Sequence, residues 1–131
     1  LRGGETVGAA LGSLAQRPAA LLFNCCAPQS VTAALRAPSA GAAARAQGVR
    51  VGGYANGFRQ TTSCWLAGGE GNFECVTCAA EYDAEDTITP AAYRAHAATW
   101  VDSGATVVGG CCGVGPEHVR ELASLKGRSC T

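Results

Sequence analysis

Three short apolar runs constrain this chain more than any other feature: AALLF at 19–23, VRVGGYA at 49–55 and ATVVGG at 105–110. Each reads as a strand, and AALLF, continuous and apolar, has the pattern of a strand buried on both faces. Between and around them lie longer stretches with helical spacing. The resulting order is helix, strand, helix, strand, helix, strand, helix. Alternation of this kind predicts an α/β fold of parallel strands joined by right-handed crossovers. In such folds the chemistry gathers at the carboxyl ends of the strands.

The helices carry their own punctuation. GETVGAALGSLAQ, 4–16, spaces Val7, Leu11 and Leu14 along one face, with Pro18 just beyond its end. SVTAALRAPSAGAAARAQ, 30–47, offers Ser30 as an N-cap and Pro38 as a kink or break. In TPAAYRAHAATWVDSG, 89–104, Thr89 caps, Pro90 sits in the first turn and Gly104 ends the helix. GPEHVRELASLKG, 115–127, begins with Pro116 and Glu117 and closes on Lys126 and Gly127. Residues 56–87 form a long region bearing glycines and cysteines with no clear element; loops of that length are uncommon and often functional.

Composition narrows the class. With 131 residues the chain can bury one real core. Ten basic residues balance ten acidic ones without a basic cluster, so neither nucleic acid nor an anionic membrane is expected as a partner. The longest apolar stretch, around PAALLFNCCAP, is far too short to span a bilayer, and the opening LRGGETVGAALGSL lacks a signal-like block. A soluble, cytoplasmic protein is expected. Eight cysteines would suggest disulfides in a small secreted protein, but not among long alanine-rich helices.

Two cysteine pairs fall at predicted strand ends: Cys25 and Cys26 after ALLFN, and Cys111 and Cys112 after ATVVGG. Neighbouring cysteines do not readily bond each other across a planar trans peptide. Three or four thiols at the mouth of a parallel sheet could hold zinc, with Gly109 and Gly110 letting the chain turn toward it. They could equally be buried small hydrophobes. The residues alone leave both readings open.

A resemblance separates them. FNCCAP, followed later by WVDSGATVVGGCCGVGPEHVREL, resembles the homocysteine S-methyltransferase family, with its Asn-Cys pair after one strand and Gly-Gly-Cys-Cys after the last. VGGYAN is similar to the family's strand ending in Tyr-x-Asn, which puts Tyr54 and Asn56 near the mouth. The resemblance covers most of residues 1–127. It implies a (β/α)8 TIM-type barrel, of which residues 1–131 would be the C-terminal part, a fragment of a single homocysteine-binding domain. It also implies an enzyme: a zinc-dependent methyltransferase that makes methionine from homocysteine and a small methyl donor such as S-methylmethionine. By position the zinc ligands are Cys25, Cys111 and Cys112, and Asn24 is a substrate-binding candidate. No further catalytic group is implied beyond the ligands.

The remaining residues receive simpler readings. Cys75 and Cys78 have half-site spacing but no completing pair, so they read as loop thiols, and Cys64 and Cys130 as isolated ones. Cys26 is an extra thiol that either points away or competes for the metal. His96 and His118 read as helix-surface residues, Trp65 and Trp100 as packing residues, and GGEGN at 68–72 as a turn rather than a phosphate loop. Two other functions remain in view: a non-catalytic zinc-binding fragment, and a thiol-redox protein using Cys75 and Cys78 or the adjacent pair.

Overall fold

The computed structural model describes residues 3–59 and 79–127. The chain opens with α1 (Val7–Gly12), whose first turn is capped by the Thr6 hydroxyl accepting from the Ala9 N–H. It continues through β1 (Ala20–Asn24), α2 (Pro28–Arg36), a π-helical turn (Pro38–Ala42), α3 (Ala43–Ala46) and β2 (Arg50–Tyr54). After a 3₁₀ turn (Ala79–Glu81) come α4 (Pro90–Asp102), β3 (Val107–Val108) and α5 (Pro116–Ala123).

The sheet is parallel, in the order β1-β2-β3. Ala20 lies opposite Arg50 and Asn24 opposite Tyr54; Gly52 and Gly53 face Val107 and Val108. With β2 in the middle, all three strands end on the same side, as the alternating pattern requires. Gly53 permits the close approach of α2: a Cβ there would overlap the Val31 side chain.

The core gathers Val51 of β2, Val31 and Leu35 of α2, Tyr93, Ala97 and Trp100 of α4, and Ile88 from the segment before α4. Trp100 is fully buried, and its indole N–H donates to the Pro28 carbonyl at 3.1 Å. Tyr93 packs edge-on against it, the ring centroids 5.6 Å apart at 88°. α4 follows its local signals: the Thr89 hydroxyl accepts from the Ala92 N–H and Pro90 occupies the first turn. Gly104 carries the left-handed backbone beyond its end, at φ +93°.

Three expectations change. β1 is half-buried rather than buried on both faces, because it lies at the edge of the described sheet. The second helix starts at Pro28, not Ser30: Ala27 is its N-cap without a side-chain bond, and proline's fixed φ suits the first turn. Pro38 does break that helix, leaving Ala37 extended at ψ 129° before the π-helical turn. The third strand contracts to two residues, since pairing with β2 extends only that far. Among the described residues no helix is long and apolar enough to cross a membrane.

Candidate metal centre

Just past the strand ends, the chain brings three sulfurs together. Cys25 Sγ lies 3.7 Å from Cys112 Sγ, and Cys111 Sγ also lies 3.7 Å from Cys112 Sγ. All three fall within 4.8 Å of one another. These separations are far beyond a disulfide bond, and Cys25, Cys26, Cys111 and Cys112 are all thiols. The group comes from both outer strands, so it exists only because β2 holds β1 and β3 in parallel.

The backbone of the segment leaving β2 sets the thiol-bearing turns. Cys25 N–H donates to the Tyr54 carbonyl at 3.1 Å, and Cys111 N–H to the Ala55 carbonyl at 3.0 Å. In return, Asn56 N–H donates to the Cys26 carbonyl at 3.0 Å and Gly57 N–H to the Cys112 carbonyl at 2.7 Å. Four consecutive residues, 54–57, thus bond both cysteine turns.

Two backbone positions turn the chain. Cys25 itself occupies the left-handed region at φ +50°, where a side-chain-bearing residue costs on the order of 1 kcal/mol. On the other side Gly113 makes the turn at φ +74°. Gly109 and Gly110, the glycines expected to turn the chain, do not adopt left-handed conformations. Gly110 is needed for space, because a Cβ there would overlap the Val114 side chain.

Electrostatics favours the neutral thiol at Cys111 and at Cys26. Burial, then hydrogen bonding with Cys25, raises the Cys111 thiol from 9.0 to about 11. Burial also raises Cys26, which packs against the hydrophobic core and stands outside the three-sulfur group. The Tyr93 hydroxyl lies well above its ordinary range, chiefly through burial. Cys111 and Tyr93 therefore bind their protons more tightly in the fold than in the unfolded chain. Their stabilising contribution is complete below the unfolded values and is lost as pH rises, for Cys111 between 9.0 and about 11. The metal-free chain should show a urea midpoint that falls as pH rises above ~9. A flat midpoint through that alkaline range would contradict this assignment.

The other sequence-derived candidates separate clearly. Asn24 is exposed at the end of β1, next to Cys25. Tyr54 is half-buried, whereas Asn56 is buried and its side-chain oxygen accepts from the Phe58 N–H at 2.9 Å, a turn-forming role. His96 pairs with Glu81 at 3.0 Å on the partly buried flank of α4. His118 is not a surface residue: it is 7% exposed, accepts from the Gly115 N–H through Nδ1 and contacts the Ile88 carbonyl at 2.7 Å through Nε2. It caps its own helix and ties it to the segment before α4. The P-E-H opening of that helix was the available signal, since a side chain three residues past an N-cap can reach back to it. Cys64, Trp65, the GGEGN segment, Cys75, Cys78 and Cys130 lie outside the described residues.

The family model described as homocysteine S-methyltransferase matches residues 1–125. No curated protein and no solved structure gives a significant match.

Proposed function

We propose, for a chain that belongs to the homocysteine S-methyltransferase family, that Cys25, Cys111 and Cys112 hold one zinc ion at which homocysteine is methylated to methionine. The carrying observation is the sulfur spacing. Zinc–sulfur bonds of about 2.3 Å at tetrahedral angles place sulfurs about 3.8 Å apart. The two separations of 3.7 Å fit that arrangement closely. Three thiol ligands fill three tetrahedral positions and leave the fourth for a substrate sulfur. Cys112 is exposed, which supports access from the solvent side.

In this reading the three cysteines release their protons on loading and bind as thiolates. Zinc, when bound, supplies the positive charge that keeps both these sulfurs and the homocysteine sulfur ionised at neutral pH. The three cysteine side chains would hold the ion at the strand ends, leaving its fourth position for the substrate sulfur, and Asn24 stands beside them as a candidate contact to the amino acid. With S-methylmethionine as donor, the homocysteine thiolate attacks the sulfonium methyl carbon. A new carbon–sulfur bond forms, the donor's methyl–sulfur bond breaks, and its electron pair stays on the departing neutral thioether. Two molecules of methionine result, and the protein need supply no general base for that step.

The domain reading accompanies this proposal. Three parallel strands with helical connections suit the C-terminal part of a (β/α)8 barrel. Within the described residues β1 and β3 each have one unpaired edge, and further strands of the same domain would pair there.

The test is methionine formation by zinc-loaded protein given homocysteine and methyl-labelled S-methylmethionine. Label should appear in methionine only when homocysteine is present, and Cys112→Ala should abolish it. Stoichiometric zinc without label transfer from sulfonium or ammonium donors would instead identify a non-catalytic zinc-binding protein.

A further inference from the structure

The strand between the two thiol-bearing turns contributes no sulfur, yet its continuation through Tyr54, Ala55, Asn56 and Gly57 bonds both turns. A tyrosine also bonds that continuation. Tyr93 is fully buried in α4, and its hydroxyl lies 2.8 Å from the Gly109 carbonyl and 3.1 Å from the Ala55 carbonyl. One phenolic proton is thus shared between the end of β3 and the end of β2. Ala55 is also the acceptor for the Cys111 N–H, and Gly109 stands two residues before Cys111.

We infer that Tyr93 is a positioning residue for the metal-binding thiols, its hydroxyl tying the Ala55 and Gly109 carbonyls together and so setting the Cys111–Cys112 turn against β2. The inference rests on the metal reading proposed above and adds to it a residue remote from the sulfurs in sequence. Packing alone does not explain a tyrosine here. The ring's edge-on contacts, to Trp100 at 5.6 Å and to His118 at 5.8 Å between centroids, would be made equally by phenylalanine. The hydroxyl is what phenylalanine lacks, and both its acceptors belong to strand ends. In this fully buried position water does not readily replace it, so without the hydroxyl the Gly109 carbonyl loses a partner and the two strand ends lose their bridge. Sulfurs that must meet at tetrahedral spacing are sensitive to small shifts of this turn, as metal sites are to the groups behind their ligands.

Cobalt(II) binding to the full chain tests this, because tetrahedral thiolate sites give it intense ligand-field and sulfur-to-metal bands. The wild-type chain should bind one cobalt. Tyr93→Phe should weaken that binding about tenfold and alter the bands, because the thiols no longer meet in one geometry. Leu11→Ala, in the core at α1, should lower the melting temperature yet keep both affinity and spectrum. Wild-type affinity and bands in Tyr93→Phe, or an equal loss in Leu11→Ala, would overturn the inference. Should Tyr93→Phe fail to fold in plain buffer, the same titration of it and of the wild type in a stabilising osmolyte decides. Weakened cobalt binding with altered bands there supports the inference, and wild-type binding overturns it. A wild-type chain that binds no cobalt defeats the metal reading itself, and this inference with it.

Discussion

Cys111→Ala is expected to lower zinc affinity about a thousandfold while leaving the fold in place. A structural zinc site contributes roughly 10–16 kcal/mol, so one of three thiolates accounts for about 4 kcal/mol, or about three decades. The fold should survive because the Cys111 backbone bond to Ala55 does not involve the sulfur. Competition with a chelator measures the loss, and far-UV circular dichroism checks the fold. Cys26→Ala provides the contrast: its sulfur packs against the core and stands outside the group, so zinc affinity should not change. Stoichiometric zinc in Cys111→Ala, held as tightly as in the wild type, would contradict the ligand set.

The largest stability effect is expected at Trp100. Truncation to alanine removes a fully buried indole together with its hydrogen bond to the Pro28 carbonyl. Cavities from buried tryptophan typically cost about 3–5 kcal/mol, against a total stability of about 5–15 kcal/mol. Urea denaturation should therefore show a midpoint shifted sharply down or a chain unfolded without denaturant. Trp100→Phe keeps most of the packing and should lose much less. A loss below ~1 kcal/mol for Trp100→Ala would mean that this side chain does not occupy the core position described.

Local signals were legible in the sequence. Thr89, Pro90 and Gly104 bracket α4 because capping and turn chemistry act within a few residues. Pro38 broke the second helix for the same reason. The extent of β3 was not legible, since strand length depends on a partner distant in sequence. Ser30 lost the cap position to a helix that starts at Pro28. His118 looked exposed because nothing in its own helix reveals the Ile88 carbonyl waiting for it.

The candidate site divides along the same line. The gathering of thiols at strand ends followed from the order of elements, since parallel strands carry their carboxyl ends to one side. That Cys25, rather than Cys26, joins Cys111 and Cys112 was legible only through the family resemblance, and the left-handed backbone at Cys25 is a conformation no sequence pattern announces. The turning role assigned to Gly109 and Gly110 belongs instead to Cys25 and Gly113. Tyr93 drew no attention as a sequence feature because its importance lies in two carbonyls from different strands.

Zinc-edge X-ray absorption on the purified chain, without and then with homocysteine, reads the sulfur shell of the proposed site itself. One zinc per chain with three sulfur neighbours is expected, rising to four when homocysteine is added. A chain that takes up no zinc, or one whose zinc shell does not change with saturating homocysteine, would contradict the proposal.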